Sequence, residues 1–532
     1  MESLRWPILK EHQVVTLYDT TLRDGTQREG MSLSVEDKLR IAAKLDLLGV
    51  HYIEGGFPGS NPKDIEFFER LGELKLEQAV ITAFGPTCRK DTPAEDDAGL
   101  DSLIVTGCKA LCIFGKAWDI HVTETLQTSL PENVRMVRDS VSYLKTQVDA
   151  VFFDAEHFFD GWKANRDYAL EVVRAAADAG ADCVVLCDTN GGVLPHEIAQ
   201  IVTELRGLVD VDLGIHTHND SGCAVANSLV AIDAGCVHVQ GTVNGYGERA
   251  GNADLISIIP SLVIKMGDTA LSAEQLKLVT EISHFVAETA NISPNPFAPY
   301  VGTSAFAHKG GVHASAAARL PEAYEHVDPA RVGNFARVVV SELAGRASLT
   351  MKAAELGIDL SGDQEEVAAA LDAIKELEYQ GYSFEAADGS LSVMLKKRLG
   401  TYEGAFQLES FRVIAEKRED GRVMTEATIK VYAGGHRYIA TAEGNGPVNA
   451  LDKALRAAIG RFYPRLDKIS LEDYKVRVLD ETRGTGAVTR VLIESTDGVK
   501  SWGTVGVSEN IIEASWEALV DSIDYGLTAG EA

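Results

Sequence analysis

The sequence predicts an α/β chain built as a (β/α)8 barrel, followed by helical linker subdomains and a C-terminal α+β domain of two βββα repeats. Three observations predict it. Short apolar runs alternate with helical patterns eight times between residues 14 and 265. Polar residues suited to metal binding or proton transfer stand at the C-terminal ends of those runs. A pattern of three strands and a helix occurs twice near the C-terminus.

The predicted strands are VVTLYDT (14–20), HYIEGG (51–56), AVITAFG (79–85), ALCIFG (110–115), AVFFDAEH (150–157), CVVLCDT (183–189), VDLGIHTH (211–218) and VHVQGTVN (237–244). Between them lie amphipathic segments such as VEDKLRIAAKLDLLG and NRDYALEVVRAAADAG, which end in the glycine that a helix C-terminus favours. Eight such units in about 250 residues match a TIM barrel, whereas an open doubly wound sheet more often stops at about five or six strands. The predicted barrel domain is 1–270. Its strands deliver their C-terminal residues to one face, and here those ends or their near neighbours carry Asp24, Glu54, Glu156, Thr189, His216, His218 and Asn252.

Residues 271–400 read as helical linker subdomains, with Pro-rich NISPNPFAPYVG and Gly-rich AHKGGVHASA as loops and DQEEVAAALDAIKELEYQGY as a helix. Residues 401–532 hold the repeat. FQLESFRVIAE, EATIKVYA and HRYIATAEG precede helical GPVNALDKALRAAIGRF, and YKVRVLDE, VTRVLIES and KSWGTVGVS precede helical ENIIEASWEALVDSIDYG. Two such units leave a crevice between them, suited to a small effector; the alternative is a dimerisation module.

A chain of 532 residues, 45% hydrophobic, has enough apolar surface for several cores. Its net charge of −29 repels nucleic acid and anionic lipid, so neither is expected as a partner. No run of 18 apolar residues occurs, and the N-terminal MESLRWPILKEHQVV has no signal-peptide core, which predicts a cytoplasmic location. Seven cysteines, none beyond Cys236, make no disulfide framework; Cys108/Cys112 and Cys183/Cys187 read as small buried residues.

The chemistry centres on His216-Thr217-His218. Residues two apart on a strand share a face, so both imidazoles enter the barrel mouth together. Two histidines and a carboxylate form an N/O ligand set that leaves positions open for substrate. Asp24 is the natural third ligand, because only the eighth strand separates strands one and seven in a closed barrel. Asn252, in the turn NGYGERAGN, is either a further ligand or a turn residue or helix cap. Arg23, beside Asp24, either stabilises developing negative charge or fixes Asp24, and the two roles are compatible. Gln27 is placed to orient ligands from behind. Glu54 and Glu156 are candidate acid/base groups or substrate anchors, and Asp154 shares the face of Glu156. His313, outside the barrel, reads from the residues alone as a loop histidine.

LYDTTLRDGTQ, HTHND and GYGERAGN, in that order, resemble the Claisen-condensing metal-dependent TIM barrels. These include the 2-isopropylmalate, homocitrate and citramalate synthases, with 3-hydroxy-3-methylglutaryl-CoA lyase as a relative. The βββα repeat is similar to the regulatory domain of the 2-isopropylmalate and citramalate synthases, which the lyase lacks. The segment RDGTQREGMSLSVEDKLRIAAKLDLLGVHYIEGGFPGSNPKD most resembles the citramalate branch.

The resemblance implies an acyltransferase that condenses acetyl-CoA with pyruvate, and a homodimer inhibited by isoleucine at the C-terminal domain. It implies a divalent cation (Mg, Mn, Co or Zn) on Asp24, His216, His218 and Asn252. Arg23 would support the acceptor's carbonyl oxygen and Thr189 its carboxylate, with Gln27, Glu54 and Tyr324 as further substrate-binding positions. Glu156 and His313 would take part in proton transfer. The alternatives are 2-oxoisovalerate as acceptor, a homocitrate synthase, a retro-aldol lyase, and an amino-acid sensor on a degenerate barrel.

Overall fold

The computed structural model describes residues 14–59, 61–308, 316, 320, 323–338, 346–360, 364–479 and 487–528. They form two compact units, one of Met1–Phe306 with Val327–Ala336, the other of Ala307–His326 with Arg337–Ala532.

In the first unit the parallel strands β1 (Thr16–Asp19), β2 (Tyr52–Gly56), β3 (Val80–Pro86), β4 (Ala110–Lys116), β5 (Ala150–Glu156), β6 (Cys183–Asp188), β7 (Asp212–Thr217) and β8 (His238–Gly241) close in sequence order into a barrel. Closure is the pairing of β1 with β8, Thr16 opposite His238 and Asp19 opposite Gly241. The helices follow from their sequences. Ser34 caps Val35–Leu48 through a capping box with Asp37, and Gly49, at φ 93°, ends it in the left-handed conformation that glycine tolerates. Helix side chains and the outward residues of the strands form one large apolar core. A smaller core fills the barrel itself, where Tyr18, Phe84, Cys112, Phe152, Cys183, Val185 and Cys187 pack together. All seven cysteines are free thiols, six of them buried.

The structure differs from the sequence expectation where β7 and β8 end. β8 stops at Gly241 instead of running to 244, and β7 stops at Thr217. Above Ile215 and Val239 the two strands part, and residues 251–253 insert between them. Ala253 N–H donates to Thr217 O at 2.9 Å, Thr242 N–H donates to Ala253 O at 3.0 Å, and Asn219 N–H donates to Gly251 O at 2.8 Å. The inserted segment satisfies backbone groups that the splayed strands would leave bare. It depends on glycine at two points: a Cβ on Gly241 would lie 2.5 Å from Ala253 O, and Gly251, at φ 95°, would bring one 2.1 Å from Gly245 O. The insertion carries Asn252 to the barrel mouth, bridged to His218.

The second unit begins with a two-stranded ribbon, β9 (Ala307–His308) and β10 (Arg337–Val338). Helices Arg346–Glu355, Gln364–Tyr379 and Asp388–Arg398 follow. Two antiparallel sheets come next, β11 (Gln407–Lys417), β12 (Val423–Ala433) and β13 (His436–Gly444), then β14 (Ser470–Val478), β15 (Thr489–Thr496) and β16 (Ser501–Ser508). Each is followed by a helix, Pro447–Ile459 and Ile511–Thr528, giving the expected two βββα units over a shared core.

Candidate metal and active site

Two strand ends and the inserted segment build the site. Asp24 follows β1 at the start of a 3-10 turn, His216 lies on β7, His218 stands one residue beyond it, and Asn252 is on the inserted segment. Period two along β7 sends both imidazoles inward, as the HxH spacing predicts. Their Nε2 atoms are 3.3 Å apart, and His216 Nε2 is 3.4 Å from Asp24 Oδ2. Among the described residues, Asp24, His216 and His218 offer ligand atoms within 4.8 Å of one another.

This donor set fits a divalent cation. All three side chains are buried, at 2%, 5% and 7% exposure, where converging lone pairs would repel with no cation between them. Buried polar atoms without partners among the described residues stand beside them: His218 Nδ1, and Asn252 Oδ1, whose amide nitrogen donates instead to Tyr246 O at 3.2 Å. The electrostatics suit metal ligation. Burial pushes Asp24 up, but the Arg23 charge and the His216 contact outweigh it and hold the carboxyl well below its usual range. Burial, reinforced by His216, lowers His218 to about 3, so its ring is neutral. Burial works against the charged form of His216, and the Asp24 contact more than offsets it, raising the group.

Around the ligands opens a cavity of about 520 Å³, lined by Arg23, Asp24, Gln27, Phe84, Phe114, Asp154, Glu156, Thr189, His216, His218 and Arg249 among others. Arg23 Cζ lies over the Phe84 ring, 3.8 Å from its centroid. Its Nε donates to Glu54 Oε1 at 2.5 Å, and Tyr18 Oη donates to the other Glu54 oxygen at 2.7 Å. Burial disfavours the guanidinium, and the Glu54 and Asp24 carboxylates outweigh that, so it stays charged. Glu156 pairs with Lys116 Nζ. Thr189 Oγ1 accepts the His157 N–H at 2.9 Å, which leaves its own O–H free to donate into the cavity.

Of the residues expected from sequence, Arg23, Asp24, Gln27, Glu156, Thr189, His216 and His218 line this one cavity, Gln27 at its exposed rim. Glu54 is fully buried behind it, and Asn252 lines a neighbouring cavity with Asn244 and Asp254. Tyr324 belongs to the second unit, where it is 43% exposed. His313 lies outside the described residues.

Residues 14–286 match the HMGL-like family, 300–381 the homocitrate synthase post-HMGL domain-like family, and 385–527 the LeuA allosteric (dimerisation) domain. A protein of Geobacter sulfurreducens named (R)-citramalate synthase is 55% identical over 97% of this chain and 98% of its own length. One of the same name from Aquifex aeolicus is 52% identical over the same shares. The chain belongs to the citramalate synthase family. A probable 2-isopropylmalate synthase of Methanopyrus kandleri is 34% identical over 96% of this chain and 98% of its own length.

Sequence reasoning missed several side chains that line or brace this site. Gln240 is one: its Oε1 is 2.9 Å from His216 Nδ1 and its Nε2 is 3.0 Å from Asp154 Oδ1. The signal was available, because an amide two residues after His238 on a barrel strand must face the interior. Lys116, Phe84 and Phe114 went unremarked because nothing local distinguishes them from ordinary residues at the end of a strand. Asp154, flagged only as sharing the face of Glu156, is pushed up to about 6 by burial, with His216 opposing.

Proposed function

We propose that this chain is an (R)-citramalate synthase, condensing acetyl-CoA with pyruvate and water to (R)-citramalate and CoA. The observation that carries it is the near-full-length identity of 55% and 52% to proteins of that name, against 34% to a 2-isopropylmalate synthase. The site supplies what the reaction needs.

Asp24, His216 and His218, with Asn252, would hold the divalent cation, which is Mg, Mn, Co or Zn by its donor set. When bound, it supplies Lewis-acid polarisation of the acceptor's ketone. Arg23, fixed by Glu54 and Phe84, offers its charge to the oxyanion that develops as the ketone is attacked. The Thr189 hydroxyl donates to the acceptor's carboxylate, with Gln27 at the cavity rim as a further contact. Glu156 and His313 handle protons: a base takes one from the acetyl methyl group, and the resulting enolate carbon attacks the ketone. Water then hydrolyses the citramalyl thioester, releasing CoA and making the sequence irreversible. The cation and Arg23 also offset the chain's negative field for anionic substrates.

The chain would act as a homodimer in the cytoplasm, supplying the 2-oxobutyrate branch of isoleucine biosynthesis. Among the described residues no helix is long and apolar enough to cross a membrane. Isoleucine would inhibit at the C-terminal unit, where Pro447, Leu471, Tyr474, Ile512, Ser515 and Leu519 line a cavity of about 610 Å³. A CoA-release assay across pyruvate, 2-oxobutyrate, 2-oxoisovalerate and 2-oxoglutarate tests the acceptor. Pyruvate is expected to give the highest kcat/KM, and a preference for 2-oxoisovalerate would overturn the reading.

A further inference from the structure

We infer that Asp154 and Gln240 form a directional relay that sets which nitrogen of His216 is available to the metal. The inference rests on the reading of Asp24, His216 and His218 as a cation site.

The polarity follows from the donors and acceptors alone. Asp154 Oδ1 faces the Cys112 thiol at 3.3 Å and Gln240 Nε2 at 3.0 Å. An ionised carboxylate can only accept, so it draws the NH2 end of the Gln240 amide toward itself. The amide then has only its oxygen left for His216 Nδ1, 2.9 Å away. A carbonyl oxygen also can only accept, so Nδ1 must carry the ring proton. The lone pair is thereby placed on Nε2, the atom that faces Asp24 and His218.

The relay crosses the barrel interior from β5 through β8 to β7 and is almost wholly buried: Asp154 is 4% exposed, Gln240 0% and His216 5%. Reversing the amide there would set its oxygen against the Asp154 carboxylate, two buried acceptors facing each other, so the polarity is held from the Asp154 end. His218 lacks such a device, since its Nδ1 has no partner among the described residues. Gln240 and Asp154 are therefore positioning residues for the metal and act through His216.

The test compares Co²⁺ affinity, measured by calorimetric titration of metal-stripped full-length protein without substrates, for wild type, D154N and the double variant D154N/Q240E. In D154N the new amide can donate to Gln240 Oε1, the Gln240 amide can turn, and the proton can move to His216 Nε2. Affinity should fall about 10- to 100-fold. In the double variant the carboxylate introduced at position 240 can only accept. It takes one hydrogen bond from the amide introduced at position 154 and one from His216 Nδ1–H, which restores the polarity. Affinity should return to within about threefold of wild type, a recovery that a merely structural role would not produce.

D154N binding as tightly as wild type, or a double variant no better than D154N, would overturn the relay. Wild type that binds no Co²⁺ would instead overturn the metal reading beneath it. Should D154N not fold, 15N spectra of Zn²⁺-loaded wild type with labelled histidine give the same answer: Nδ1 protonated and Nε2 ligated is expected, and ligation through Nδ1 refutes the relay.

Discussion

His216 and His218 point their Nε2 atoms at each other across 3.3 Å, with Asp24 Oδ2 3.4 Å from the first of them. Three buried ligand atoms so placed cost free energy unless a cation lies among them. His216→Ala and Asp24→Asn should each weaken Mn²⁺ or Co²⁺ binding at least about 100-fold and abolish CoA release. Calorimetry on stripped protein checks the first effect and a thiol assay the second. Metal-independent turnover in either variant would refute the assignment.

Arg23 does two things that substitutions can separate. It faces the cavity, and it compensates Glu54, which is fully buried. Arg23→Ala should lower kcat about 10²- to 10³-fold. It should also destabilise the first unit by about 3–5 kcal/mol, because Glu54 is left as an unpaired buried charge. Arg23→Ala combined with Glu54→Gln should recover much of the stability and none of the rate. Chemical denaturation and steady-state kinetics on the same preparations distinguish the two.

Phe84 and Phe114 stack at the cavity wall, with ring centroids 5.2 Å apart and planes at 16°. They are large apolar surfaces in an otherwise mostly polar cavity, which makes them the candidates to bound the acceptor's side chain. Phe114→Ala should raise the ratio of kcat/KM for 2-oxoisovalerate over pyruvate by at least about 10- to 200-fold, the usual worth of a single methylene in an apolar pocket. An unchanged ratio, with both substrates equally impaired, would place the specificity elsewhere.

The C-terminal unit carries a pH-dependent term of its own. Burial pushes Asp521 up to about 6, although Ser390 donates to its Oδ2 at 2.7 Å and opposes the rise. A carboxyl raised in the folded state favours folding when protonated, so that stability is present below the ordinary value of 3.8 and is lost as pH rises to about 6. The loss is on the order of 2–3 kcal/mol. Asp521→Asn should therefore be more stable than wild type at pH 7.5 and similar near pH 4, as urea midpoints at the two pH values will show. Equal midpoints at pH 7.5 would contradict it.

The sequence made the eight strands legible because each apolar run and its helix are local, and local periodicity is what a sequence displays. His216 and His218 were legible for the same reason: they are two apart along β7 and its immediate continuation. Asp24 needed only the closure of the barrel. The parting of β7 and β8 was not legible, because the segment 251–253 that fills the gap comes from a loop whose glycines signal a turn without saying what it approaches. Gln240 was not legible because its role depends on Asp154, 86 residues away on β5, as well as on His216 of the neighbouring strand. The bond from Lys116 to Glu156 likewise joins residues 40 apart.

The central claim is tested most directly by following acetyl-CoA and pyruvate with metal-stripped enzyme by proton NMR, before and after addition of Mn²⁺ in catalytic amount or Mg²⁺ in excess, with chiral analysis of the product. The account predicts no turnover until metal is added, then stoichiometric CoA and a single enantiomer, (R)-citramalate. Citramalate formed at an undiminished rate without metal, or acetyl-CoA consumed with no citramalate, would contradict it.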